Sequence, residues 1–241
     1  MKKIIKFSSY ILISLFFIQC SDDESNSIGN QIQTVSDIDG NIYNTIVIGN
    51  QTWMVENLKT TTYSDGTPIT EYTFEEFGND WNMDNQTVPL FQWADTSDLS
   101  NAIEEDLPFD YYGTLYNEAA IKSGKLAPTG WKIPSEQDFI ELKNYVSANG
   151  FMNNEDTALK SISGWSDFFG NGTDDFGFNT LPNGYCTNLG SAAGAGAICN
   201  LASSTTNNFD QTRKVLSINK DTMDFFGNSI LLGSGIRCLK N

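Results

Sequence analysis

From Thr34 onward the chain is written in short apolar runs broken by turn residues. In "NIYNTIVI", residues 41–48, Ile42, Ile46 and Ile48 alternate with polar positions, the period of a half-buried strand. Asp39-Gly40 precedes it, a dipeptide that closes two-residue hairpins, so "QTVSD" and "NIYNTIVI" are expected to pair. Asp65-Gly66 predicts a second turn between short extended segments. Residues 71–110 are acidic, weakly periodic and loop-rich. The period changes at "PSEQDFIELKNYVSANG", where Ser135 and Asp138 form an S-x-x-D cap pattern. Phe139, Leu142, Tyr145 and Val146 fall on one helical face, and Gly150 ends it. A second helix is expected over 155–162. Beyond Phe178 the runs are again strand-like: "FNTLPNGYC", "AICNLASST", "RKVLSI", "TMDFFG" and "SILLGSGIRCL". Strands, a central helix and more strands predict one α+β domain over residues 34–241, with short antiparallel strands around one or two helices.

The N-terminus departs from this pattern. Lys2, Lys3 and Lys6 precede an uncharged, mostly apolar stretch from Phe7 to Gln19. It is shorter than the roughly 20 residues a helix needs to cross a bilayer, and it fits the apolar region of a secretory leader. It ends at Cys20. A Cys in that place resembles a bacterial lipoprotein processing site, which makes residues 1–19 a signal peptide and Cys20 the lipidated residue. Several acyl chains would hold the protein on a membrane stably, where one chain is marginal. The "CSDDE" that follows resembles the export tag of surface lipoproteins in Bacteroidetes-type bacteria. Residues 20–33 then read as an acidic tether, and the expected location is the outer membrane with the domain exposed on the cell surface.

Composition narrows the chemistry. With 39% hydrophobic, 18% charged and 12% aromatic residues, the chain is globular in kind rather than disordered. Fourteen basic against thirty acidic residues give a formal charge of −16, which argues against a nucleic-acid partner. The chain contains no histidine. That excludes a Ser-His-Asp or Cys-His nucleophile pair and His-based zinc sites. Any general base would be a carboxylate, Lys, Tyr or a terminal amine. No cofactor and no metal site is expected.

Cys186, Cys199 and Cys238 remain after the leader, an odd number for an oxidising compartment. Cys186 and Cys199 bracket a Gly/Ala-rich loop, and a bridge between them would contribute roughly 3 kcal/mol in the loop-entropy model. Cys238 then reads as a buried thiol, although its pairing with either of the others stays open.

Asp37, Asp39 and Asn41 alternate as oxygen ligands do in calcium loops, and equally suit a turn between strands. A helix-loop-helix calcium loop needs Gly at its sixth position and an acid at its twelfth, where this chain has Ile42 and Ile48. The hairpin reading therefore prevails. Trp53 and Trp131 are expected in the core. Trp81 and Trp93, in the acidic loop-rich segment, are the candidate ligand-stacking residues. Glu104-Glu105 and Asp174-Asp175 are carboxylate pairs that glycoside hydrolysis could use, and equally are solvated doublets. "GNGTDDFG" offers oxygens to a cation without completing a ligand template. Asp156–Ala158 and Asp221–Met223 resemble O-glycosylation acceptors of Bacteroidetes.

"DIDGNIYNTIVIGNQTWMVENLKTTTYSDGTPI", "YGTLYN", "LAPTGWKIPSEQDF", "GFNTLPNGY" and "SGIRCLK" together resemble the Fibrobacter succinogenes major paralogous domain across nearly the whole mature chain. The resemblance implies a secreted or surface protein with no established activity and a core like the C-type-lectin-like fold. After Asn117 the family tends to aromatics, where this chain has Glu118, Ala119 and Ala120. Near the end, "AICNLASST" lacks the family's aromatics. An aromatic platform in relatives would thus be missing here. The calcium-lectin signatures Glu-Pro-Asn and Trp-Asn-Asp are absent. The expected function is a surface-anchored, non-enzymatic binding or adhesion module for a glycan or surface protein. The alternatives are a carboxylate-dependent polysaccharide hydrolase and a structural envelope component.

Overall fold

The computed structural model describes residues 33–81, 87–95 and 107–241. The leader, Cys20 and most of the tether lie outside them, as do Glu104 and Glu105. The architecture is mostly β. Among the described residues, strands and bridges account for 34% and helices for 16%, in three sheets with four short helices. This overturns the α+β, C-type-lectin-like expectation. Residues 135–150 carry the chain's clearest helical period but make only one 11-residue helix, whereas most of the remaining apolar runs extend.

The first sheet has the order β1-β2-β3-β13-β7. β1 (Gln33–Ser36) and β2 (Ile42–Ile48) form the expected hairpin, with Ser36 opposite Ile42 and Gly40 at φ 86° in its turn. A positive φ is what the glycine supplies there. The turn carboxylates serve protein donors. Asp37 accepts from the Asn41 backbone and side chain and from the Tyr43 hydroxyl. Asp39 Oδ2 accepts from Thr60, Thr61 and Thr62, which fastens the hairpin to the segment after β3. β3 (Gln51–Met54) continues the meander. The last strand, β13 (Leu239–Lys240), then inserts between β3 and β7 (Trp131–Lys132), so the two ends of the domain close one sheet.

The acidic segment read as loop contributes β5 (Leu90–Trp93) to a third sheet, with β4 (Thr70–Glu71) at its start and β6 (Thr114–Tyr116) beyond its end. A one-turn helix, α1 (Phe74–Phe77), lies between β4 and β5, and α2 (Glu118–Lys122) follows β6. All three residues of β6 are buried. A strand covered on both sides shows no alternation to read.

The second sheet runs β12-β11-β10-β8-β9. Its strands are β8 (Asn183–Cys186), β9 (Ala192–Ala195), β10 (Cys199–Asn207), β11 (Thr212–Ile218) and β12 (Met223–Ser229). Helix α3 (Glu136–Val146) packs on β10 and β11. Ser135 and Asp138 form the expected capping box at its start. Phe139, Leu142 and Val146 are buried among Leu201, Leu216 and Ile218, while Tyr145 stays largely exposed. Gly150, at φ 103°, falls in the non-helical kink of the turn that follows. α4 is confined to Glu155–Leu159.

Trp53 is fully buried, stacked on Phe139 at 5.4 Å and edge-on to Phe178 at 5.4 Å. The three thiols are free and buried, so the expected Cys186–Cys199 bridge is not formed. The sulfurs belong to three separate apolar clusters, Cys199 around α3, Cys238 beside Tyr43 and Met54, and Cys186 beside Trp81 and Leu90.

Candidate functional site

Two of the residues expected to stack on a ligand do other work. Trp81 is wholly buried, edge-on to Tyr72 at 5.3 Å, and offers no face to solvent. Trp93 is half-buried and meets Phe109 edge-on at 5.1 Å. Neither lines the cleft between α2, β7 and the β10–β11 hairpin. The Asp174-Asp175 pair is held locally: Asp174 accepts from the Asn179 backbone at 2.7 Å, and Asp175 accepts from the Thr173 hydroxyl. Burial raises the Asp174 carboxyl above its ordinary pKa. Among the described residues no group of three acidic or thiol side chains is placed to hold a metal ion.

The structure instead opens a cleft of about 460 Å3 between α2, β7 and the β10–β11 hairpin. A second depression of about 280 Å3 shares Glu118, Lys122, Thr206 and Asn208 with it and extends it along the hairpin. The combined size suits a small ligand.

Its floor is an ion pair. Arg213 donates to Glu118 through Nε and Nη2, both at 2.7 Å, and through Nη1 to the Ser203 carbonyl at 2.6 Å. Each side chain is less than a tenth exposed. Two local features build this geometry. Asn117 caps α2, accepting from the Ala120 and Leu90 backbones and donating to the Val88 carbonyl, and so fixes Glu118 in the first turn. Buried Ala120 and Ile121 hold that helix down. On the other side, the β10–β11 register shifts between Ala202 and Thr206, so residues 203–205 stand opposite Lys214 alone. Such a bulge frees a backbone group and re-aims side chains. Here it turns the Ser203 carbonyl to Arg213, while the Ser204 backbone donates to the Pro134 carbonyl at 2.7 Å.

The wall is Trp131, half-buried on β7; it packs against the core cluster around Tyr116 and Ile121 and also lines the cleft. Lys132 beside it is bound by both Asp138 oxygens at 3.0 and 2.9 Å. Ser204, Thr206 and Asn208 add neutral polar groups on the hairpin side. The site therefore combines a planar apolar wall, a rigid bidentate ion pair and uncharged hydrogen-bonding groups. Its single carboxylate is clamped by Arg213, which leaves no second carboxylate in the cleft to act as an acid–base or nucleophile partner.

The site was not legible as a unit. Glu118 and Arg213 are 95 positions apart, and only the chain's departure from the aromatics expected after Asn117 marked that place as different.

No curated protein and no solved structure gives a match to this chain. The family model described as the Fibrobacter succinogenes major domain matches residues 46–240, which take in every residue of the cleft. By that match the chain belongs to the Fibrobacter succinogenes major domain family.

Proposed function

We propose that the protein is a surface-anchored lipoprotein whose domain binds a polar ligand, a glycan or surface protein, without catalysis. The observation that carries the binding reading is the cleft over Glu118 and Arg213. It has a polar floor fixed from two elements and an aromatic wall, and it lacks a carboxylate pair for hydrolysis. The anchoring rests on the leader, on Cys20 and on the acidic stretch behind it. Among the described residues no helix is long and apolar enough to cross a membrane.

An array of glycans and matrix proteins probed with the full chain tests the binding. Ligands captured by the wild type and lost with Asn208→Ala and Trp131→Phe support it. Capture unaffected by both substitutions, or turnover of a captured ligand, overturns it. Cys20→Ser tests the anchor, and is expected to abolish acylation and release the protein from the membrane fraction. Asp22, Asp23 and Glu24 changed to Ala together should leave it acylated but shielded from protease added to intact cells. Wild-type protein without acyl chains by mass spectrometry defeats the anchor, and acylated wild type that resists the protease defeats surface display.

A further inference from the structure

Building on that reading of the cleft, we infer that its ligand is an acidic saccharide carrying a ring carboxylate, a uronic acid. Charge is the first reason. The protein has 30 acidic and 14 basic residues. The larger cleft nevertheless draws Lys122, Lys132 and Arg213 to its lining against one carboxylate, Glu118. The sign of the surface is locally reversed, and a cleft of one sign concentrates ligands of the other.

Donor accounting is the second. A guanidinium carries five N–H groups. Arg213 commits three, two to Glu118 and one to the Ser203 carbonyl. Among the described residues two remain unused on a side chain that lines the cleft and is only 6% exposed. Buried donors left over in a cavity wall are groups a ligand acceptor would satisfy. Lys122 stands exposed at the rim and makes no salt bridge among the described residues, whereas Lys132 is shared with Asp138. Lys122 thus supplies the unpaired positive charge at the cleft, and Arg213, its charge balanced by Glu118, supplies only further donors.

Shape is the third. Trp131 gives a flat apolar face beside these cations, and Ser204, Thr206 and Asn208 give short neutral donors and acceptors opposite. A sugar ring offers an apolar face to stack and hydroxyls to bond, and its carboxylate matches the guanidinium and ammonium. A bare inorganic anion would leave the indole wall unused, and a neutral sugar would leave the Lys122 ammonium unpaired.

Titration calorimetry of the full-length chain in detergent tests the inference. The probes are a galacturonate trisaccharide, the same trisaccharide with its carboxylates reduced to alcohols, and a sulfated galactose trisaccharide. The uronate is expected to bind at least tenfold more tightly than the reduced form. Lys122→Ala, at an exposed position, should weaken the uronate at least fivefold and the neutral form by clearly less. Raising salt from 50 to 500 mM should erode the difference. Equal affinity for charged and reduced sugars, preference for the sulfated one, indifference to Lys122→Ala, or no uronate binding each overturns the uronate assignment. The cleft reading fails separately, when array ligands are captured equally by the Asn208→Ala and Trp131→Phe proteins.

Discussion

Arg237 and Asn57 lie 180 positions apart, yet both Nε and Nη2 of the buried arginine donate to the one Asn57 Oδ1, at 3.1 and 2.8 Å. The same guanidinium donates to the Phe178 and Asn179 carbonyls, and it lies 4.7 Å from the centre of the Phe178 ring. Asn57 in turn donates to the Tyr112 carbonyl at 2.9 Å. Four distant segments are clipped at one point, where the arginine charge is met by neutral oxygens. Burial pulls the guanidinium down to about 10, still charged at neutral pH.

Removing the acceptor should therefore be expensive. Asn57→Ala leaves a buried cation short of partners, and breaking such a contact costs about 3–5 kcal/mol. For a domain of this size that lowers Tm by on the order of 10 °C. Arg237→Lys keeps the charge but loses the planar fork, and should recover little of the loss. Calorimetric melts of the three proteins check this, and a wild-type Tm for Asn57→Ala would refute it.

The Glu118–Arg213 pair obeys the same logic with a different outcome for the double variant. Glu118→Gln should cost about 3–5 kcal/mol, because Arg213 stays buried and charged without its partner. Replacing both with Leu and Met removes both desolvation costs and should be markedly milder than the sum of the single changes. Urea unfolding of the wild type, Glu118→Leu, Arg213→Met and the double variant measures the coupling. Additive single effects would mean that the two side chains do not act as a pair.

What could be read ahead of the structure follows from the range of each interaction. Helix α3 was legible because its capping box and its buried face fall within twelve consecutive residues, Ser135 to Val146. The first hairpin was legible because Asp39-Gly40 carries its own turn chemistry. The phase of β2 was legible at its end, where Ile48 is buried and Ile46 packs on the core, and not at its start. Ile42 is 69% exposed and Tyr43 fully buried, since contact with Met54 and Cys238 outweighs the local alternation. β5 and β6 were missed because their buried residues do not alternate with exposed ones, and the lectin-like expectation fell with the sheet they belong to. The cleft needed three elements whose proximity only the closed fold creates.

The thiols give a direct check on the packing. Burial pushes Cys199 up to about 12 and lifts Cys186 and Cys238 well above their ordinary values, so little thiolate exists at neutral pH. Native protein purified under oxidising conditions should react with iodoacetamide orders of magnitude more slowly than a free thiol. After denaturation without reductant, mass spectrometry should find Cys186, Cys199 and Cys238 all labelled. Labelling of Cys238 alone would show that the other two are bridged and that this part of the fold is wrong.

Acid should weaken the domain through the carboxylates whose native pKa is lowered, Asp39, Asp65, Asp138 and Glu155, of which Asp39 and Asp138 tie the hairpin and α3. Burial pushes the Asp39 carboxyl up, but the bonds from Thr62, Thr61 and Thr60 outweigh it and leave the pKa below its ordinary value. At Asp138 burial again acts upward, and Lys132 and Ser135 pull it lower. A carboxyl with a depressed native pKa holds its proton more weakly when folded than when unfolded. Its contribution is complete above the unfolded value near ~3.9 and is lost as pH falls through the native one. Asp156 and Asp174, raised by burial, act with the opposite sign and add stability as they protonate. The decisive quantity is therefore the difference between wild type and a protein with Asp39→Asn and Asp138→Asn, in which the raised groups are common to both. At pH 7 the double variant should be less stable by about 1–3 kcal/mol, since Asp39 is exposed and its charge is screened. Below about pH 3 the two urea midpoints should converge. A gap that persists unchanged from pH 7 to pH 2.5 would show that these carboxylates hold the hairpin and α3 through shape alone and not through charge.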